Sequence, residues 1–280
     1  MVIVTGITGQ LGYDVAAELE RRGEEFIATS RNEINLDDEK SIKNFIKNHQ
    51  PSAVIHCAAY TAVDKAESDA EHALMVNGMA TRYIAEACRD VEAKLLYPST
   101  DYVFGGDGHI PYEINDEKSP CNIYGRSKLL GEDSVRALNR KHFIVRISWV
   151  FGINGKNFVK TMLNLADKHK KIRVVCDQIG SPTYTRDLAP LLVDMIQTEK
   201  FGTYHATNEG FCSWAEFAKE IFKQPKKNVE VEEILTADYP TPARRPFNSR
   251  LSKKSLDDAG FNRLPTWQDA LKRYLAELKA

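Results

Sequence analysis

Tyr124 and Lys128 stand four residues apart in Tyr124-Gly125-Arg126-Ser127-Lys128, so on a helix their phenol and ammonium share one face. A cation beside a phenol stabilises the phenolate and lowers the phenol's pKa from its ordinary value of about 10. Such a tyrosine can donate a proton near neutral pH. Upstream, Ser99-Thr100-Asp101 closes an apolar run. Successive strand residues point to opposite faces, so Ser99 and Thr100 cannot both address the oxygen that Tyr124 would protonate.

A second group precedes these residues. Gly6-Ile7-Thr8-Gly9-Gln10-Leu11-Gly12 follows a short apolar run and opens a helical one. Glycines there permit a tight turn, close backbone approach to a pyrophosphate and close packing of helix on strand, with the helix N-terminus facing the phosphates. The spacing is G-x-x-G-x-x-G. After the next strand, where an NAD enzyme usually carries a carboxylate for the ribose, the chain has Thr29-Ser30-Arg31. Ser30 and Arg31 therefore favour NADPH, with NADH left open. Ala58-Ala59-Tyr60-Thr61 follows the third strand, at the sheet edge where ligands sit.

The elements that must position these residues are legible in outline. Strands are expected at 2–5, 25–29, 53–58, 93–99 and 142–148. Helices are expected at 10–22, 38–48, 69–91 and within 119–139. This alternation predicts an α/β fold, a doubly wound parallel sheet covered on both faces. Runs such as Ala53-Val54-Ile55 and Phe143-Ile144-Val145 are apolar throughout, as a sheet buried on both sides requires. The second half predicts helices at 158–169, 187–197, 214–222 (capped by Ser213) and 266–278. The three prolines of Tyr239 to Pro246 predict an extended loop. The division is a dinucleotide-binding domain, 1–150, and a smaller C-terminal α/β substrate-binding domain, mainly 151–280, with 178–206 packing back on the first.

Composition narrows the function classes. Thirty-eight Lys and Arg against 39 Asp and Glu leave a net charge of -1, which gives no footprint for nucleic acid. Five cysteines, never paired as C-x-x-C, fit reduced thiols rather than disulfides or zinc. The histidines show no metal spacing, and His56 reads as a packed core residue. No apolar run has the length of a membrane span and no signal pattern opens the chain, so the expected location is cytoplasmic.

Several strings carry a resemblance: Thr61-Ala62-Val63-Asp64-Lys65-Ala66-Glu67, Ser99 to Phe104, Tyr124 to Lys128, Arg146 to Val150, Tyr239 to Pro242, and Arg245-Pro246-Phe247-Asn248-Ser249-Arg250-Leu251. Together they span nearly the whole chain, which resembles the dTDP-4-dehydrorhamnose reductases of the extended short-chain dehydrogenase/reductase family. The resemblance implies a Rossmann-like fold and NAD(P)H-dependent reduction of the 4-keto group of dTDP-4-dehydro-L-rhamnose, a step toward cell-surface polysaccharide. It selects Thr100 over Ser99 and makes Thr100, Tyr124 and Lys128 the catalytic set, with Lys128 also on the nicotinamide ribose. It places Asn35 and Leu36 on the adenine. It implies that Val63, Asp101 and Trp149 line the sugar or nucleotide pocket, with Arg245 and Asn248 near the nucleotide end. A guanidinium suits a diphosphate.

Some members hold magnesium between subunits through carboxylates, which would admit a homodimer. The matching positions are Asp14, Asp187 and Glu277, two of them aspartate where the family has glutamate. These three read as surface carboxylates, and no metal is assigned. Two rival functions belong to the same superfamily: a sugar-nucleotide epimerase or dehydratase, and a non-catalytic dinucleotide-binding regulatory subunit. Dehydratases usually carry Asp-Glu after the threonine, whereas Asp101 is followed by Tyr102.

Overall fold

The computed structural model describes residues 1–279. Its centre is a six-stranded, wholly parallel sheet of Rossmann type. The first five strands are β1 (Val2–Thr5), β2 (Phe26–Thr29), β3 (Ala53–His56), β4 (Lys94–Thr100) and β5 (His142–Ile147). A sixth, Gly202–His205, pairs with the outer edge of β5, giving the spatial order β2, β1, β3, β4, β5, Gly202–His205. Strand order thus reverses between β1 and β3, opening a crevice at their carboxyl ends.

The strand residues alternate between two cores, as a period of two demands. Val2, Val4, Ala53, Ile55, Phe143 and Val145 pack in one cluster, with Leu11, Val15 and Leu19 of helix α1 (Gln10–Arg22) and with Leu188 and Leu192. Ile3, Val54 and Ile144 point the other way, onto Ile42 and Ile46 of helix α2 (Glu39–His49) and Ile84. Helix α1 ends at Gly23, whose φ of +67° suits glycine. Asp38 caps α2 through the Lys40 N–H.

Two expectations differ in detail, and two elements were not expected. The helix expected over 69–91 is broken: Ala70–Leu74 and Ala80–Asp90 are α-helical, but Met75–Met79 is a π-helical turn. Close packing accompanies this widening, since a Cβ on Gly78 would meet the Leu130 side chain at 2.4 Å. The third strand stops at His56 rather than reaching residue 58, because Gly6 and the segment after β3 cross closely. The strand Gly202–His205 and the helix Lys254–Ala259 had no clear periodic signal, being four and six residues long.

The second half gathers its own core around Phe151, Phe217, Trp267 and Tyr274. Its sheet pieces are short. Lys171–Val175 pairs with Glu230–Ile234, and Ile179–Gly180 lies between Cys212–Ser213 and Asn248–Ser249. Ser213 closes a capping box on the helix Trp214–Lys223, an arrangement worth about 1 kcal/mol. The helix Thr185–Ile196 returns to the first half, where its apolar face joins the α1 core. All five cysteines are free thiols. Among the described residues, no helix is long and apolar enough to cross a membrane.

Candidate active site

A cleft of about 640 Å³ runs along the carboxyl ends of β1 to β5 and on to Trp214 of the second half. At one end lies the glycine turn. Gly6 has φ +72°, and a Cβ there would stand 2.6 Å from the Ala58 backbone. A Cβ on Gly12 would stand 2.3 Å from the Gly6 carbonyl oxygen, so Gly12 sets helix against turn and does not itself line the cleft. Gly9 caps α1 without a side chain, leaving the first-turn N–H groups free for an anion beside cleft-lining Gly9, Gln10 and Leu11. The residues present therefore fit a dinucleotide pyrophosphate.

A loop from the second half roofs this turn. Asn154 donates to the Thr8 carbonyl at 2.9 Å, and the Gln10 side-chain oxygen accepts from Gly152 N–H at 2.9 Å and Asn157 at 3.0 Å. Gly155 and Lys156 of that loop line the cleft. Lys156 escaped the sequence reading because the loop that carries it meets the turn at residues 8–10, almost 150 residues away, through Asn154.

Ser30, Arg31, Asn35 and Leu36 line the same end beside the glycine turn, together with Asp37 and His72. Ser30 directs both its N–H and its hydroxyl to Glu33 at 2.7 Å, so Arg31 is the group there with charge to offer a phosphate. Ala58, Ala59 and Thr61 also line the cleft, whereas the Tyr60 hydroxyl turns away to Asp69 at 3.1 Å. The Tyr60 backbone is held from behind by Asn77, which accepts its N–H at 2.8 Å and donates to its carbonyl at 3.0 Å and to Ser127 at 2.9 Å. Asn77 lies in the π-helical turn, a feature often found at functional sites. A helix signal in the sequence gives no warning of it.

Thr100, Tyr124 and Lys128 meet at the middle of the cleft. The helix Ile123–Leu138 puts Tyr124 and Lys128 on one face, and Asn122 caps it through Gly125 N–H at 2.8 Å. Gly125 is required because a Cβ would stand 2.2 Å from the Tyr102 carbonyl oxygen. Thr100 donates to Asp101 at 3.0 Å and accepts the Tyr102 N–H at 3.2 Å, and it lowers the pKa of the nearby Tyr124 phenol. Ser99 also lines the cleft, but its buried hydroxyl makes no hydrogen bond among the described residues. Lys128 donates to the Pro98 carbonyl at 2.8 Å and lies 3.9 Å above the Tyr97 ring.

The electrostatics differ from the sequence expectation. Burial, only partly offset by Thr100, pushes the Tyr124 phenol upward, and Asp101 and Tyr102 push it the same way. Lys128 is not among the groups acting on it, because its ammonium is committed to Pro98. Burial takes Lys128 itself down to about 7, against the pull of Glu132 and Cys57. Asp101 is raised to about 6 by burial, despite the hydrogen bond from Thr100.

Beneath Lys128, Glu132 and Arg146 form a fully buried bidentate ion pair at 2.8 and 2.7 Å. It fixes the tyrosine-bearing helix to β5, and losing one partner of such a pair costs about 3–5 kcal/mol. His56 is packed, as expected: its ring is buried, bonded to Thr5 at 2.8 Å and stacked on Tyr97.

At the other end, Val63, Asp101, Tyr102 and Trp149 line the cleft. Arg245 reaches across from the proline-rich segment to bond Asp64 at 2.6 Å and the Tyr102 hydroxyl at 3.1 Å. Asn248 is not brought into the cleft: its amide donates to the Ile110 carbonyl at 2.8 Å and its oxygen accepts from Arg250 at 2.9 Å. Trp149 both packs and lines, its ring stacked on Trp214 at 3.6 Å.

The three carboxylates considered for metal are taken up by protein donors, and Asp14, expected at the surface, is buried beneath Thr185. Asp187 is gripped by Arg273 at 2.6 and 2.7 Å, Asp14 by Thr185, and Glu277 by Tyr184 and Arg186. Among the described residues, no cluster of three or more His, Cys, Asp or Glu side chains could hold a metal ion.

A family model described as RmlD substrate binding domain matches residues 1–280. The spore coat polysaccharide biosynthesis protein SpsK of Bacillus subtilis is 40% identical over 276 residues, covering 99% of this chain and 97% of that protein. A dTDP-4-dehydrorhamnose reductase of Sinorhizobium fredii is 37% identical over 281 residues, covering 96% and 95%. The crystal structure of a Bacillus anthracis dTDP-4-dehydrorhamnose reductase in complex with NADP superposes with a TM-score of 0.96 at 41% identity, covering 99% of this chain and 98% of that one.

Proposed function

The chain belongs to the RmlD substrate binding domain family, and on that premise we propose that it is an NADPH-dependent dTDP-4-dehydrorhamnose reductase, converting the 4-keto group of dTDP-4-dehydro-L-rhamnose to the alcohol of dTDP-L-rhamnose. One observation carries the reading. Thr100, Tyr124 and Lys128 stand together midway along a cleft that has a phosphate cradle at one end and side chains suited to a nucleotide sugar at the other.

A reduced nicotinamide, when bound, supplies the hydride. Gly6, Gly9 and the α1 N-terminus hold the pyrophosphate, Arg31 pairs with a 2'-phosphate, and Asn35 and Leu36 flank the adenine. Thr100 orients the keto oxygen. Tyr124, kept protonated at neutral pH by its burial, gives its proton to the oxygen as negative charge develops there. Lys128, held by the Pro98 carbonyl, is placed to hold the ribose. Val63, Asp101 and Trp149 enclose the sugar. Arg245 faces the diphosphate, and Asn248 acts at one remove by fixing the segment around Ile110.

We read residues 1–150, joined by 178–206, as the cofactor unit and the remainder as the substrate unit of a cytoplasmic, homodimeric enzyme. Elimination chemistry is disfavoured because Tyr102, bonded to Arg245, stands where a dehydratase needs its second acid. The complete Thr100, Tyr124 and Lys128 set disfavours a purely regulatory role. Incubation with NADPH and dTDP-4-keto-6-deoxy-L-mannose should consume one NADPH per molecule of dTDP-L-rhamnose formed. An intact NADPH signal with epimerised or dehydrated product would sink the reading. A clear preference for NADH would sink the role given to Arg31.

A further inference from the structure

Trp149 has φ +49°, a left-handed conformation that a bulky side chain adopts only when its surroundings enforce it. Three contacts enforce it here. Its ring lies on that of Trp214, centroids 3.6 Å apart and planes inclined by 11°. Its carbonyl accepts the Thr183 N–H at 3.1 Å. Against the ring is Gly180, where a Cβ would stand 2.7 Å from Trp149 Cε2. Trp214 is itself buttressed by Phe158, with centroids at 4.5 Å. All these partners come from beyond residue 150, so the wall that ends β5 is set by the second half of the chain.

We infer that Gly180 is a positioning residue that, with Trp214, holds the Trp149 indole as a rigid apolar wall of the substrate end, a wall that Trp214 itself extends along the cleft, and that this paired wall sets affinity for the sugar part of the nucleotide sugar. A flat aromatic face suits the C–H face and methyl group of a deoxy sugar. The inference rests on the reductase reading.

The test compares the unsubstituted protein with W214A, W214F and G180A. W214A should abolish the exciton signal that two stacked indoles give in circular dichroism; Trp267, the third tryptophan, is present throughout. It should raise KM for the keto-sugar and the Kd for dTDP-L-rhamnose about ten-fold. The Kd for NADPH should stay within about two-fold, which also reports that the variant folds. W214F should restore most of the affinity, and G180A should weaken sugar binding in the same direction as W214A. The inference is overturned if W214A loses the exciton signal with sugar affinity unchanged. It is equally overturned if NADPH affinity falls as far as sugar affinity. Failure of the reductase reading would show separately, as unsubstituted protein that never oxidises NADPH with the keto-sugar; dTDP-L-rhamnose binding and the exciton signal then still decide the role of Trp214.

Discussion

The two ends of the cleft are built in opposite ways. At the cofactor end the working parts are backbone, drawn from short contiguous stretches, and the side chains that matter are the missing ones at Gly6, Gly9 and Gly12. At the substrate end the working parts are side chains brought together from afar: Arg245 meets Asp64 across 181 residues, and Trp149 meets Trp214. A turn that binds through N–H groups tolerates drift in its surroundings. A wall made of paired side chains changes with either partner. The cofactor end therefore suits a constant ligand, and the substrate end is where specificity can be altered by single substitutions.

The largest expected effect lies where the two ends meet. Tyr124→Phe removes the proton donor without touching the cradle, so kcat should fall about 10²–10⁴-fold while the NADPH Kd, read by fluorescence titration, is unchanged. A parallel loss of NADPH binding would mean the two ends are not separable. Arg245→Met should act on one end alone. Removing the guanidinium from Asp64, Tyr102 and the diphosphate should raise KM for the nucleotide sugar by roughly 10–100-fold, with KM for NADPH held. Equal effects on both constants would erase the contrast.

The last effect is one of stability. Asp101 has its pKa raised from 3.8 to about 6 by burial. A raised carboxyl favours folding below its unfolded pKa, and that advantage is lost as pH climbs through the folded value. Asp101→Asn does not titrate, so it should gain on the unsubstituted protein between about pH 4 and pH 6 and keep a constant lead above that, roughly 3 kcal/mol in all. Denaturant melts across that range would show it; parallel stability curves would place the carboxyl in water instead.

What the sequence disclosed follows the same division. Strands β1 to β5, the glycine turn and the Tyr124–Lys128 pair are local patterns, and apolar runs, glycine spacing and an i, i+4 relation are enough to read them. Arg31 follows from its place at the end of β2, whereas Asn35 and Leu36 come only from the family resemblance. Asn77, Glu132, Lys156 and Trp214 act through partners remote in sequence, so no spacing rule points to them. The direction of the Tyr124 shift was hidden for another reason. Adjacency of a lysine predicts a lowered phenol, but only the folded molecule shows the ammonium drawn to Pro98 and the phenol enclosed. Asn248 belongs to a string that the family resemblance marks, yet its amide serves the backbone of another loop.

The sheet that carries the cofactor end is finished by a strand from far downstream, Gly202–His205 against β5. On the ribosome, then, five parallel strands emerge before the sixth exists. Until the helix Thr185–Ile196 and that strand arrive, the edge of β5 is open and Val15 and Leu19 of α1 lack their cover of Leu188 and Leu192. An unpaired apolar edge of this kind is an invitation to aggregation. A gene truncated at residue 150 would encode every glycine of the phosphate cradle and still yield an insoluble product, because translation order and spatial order disagree in this protein.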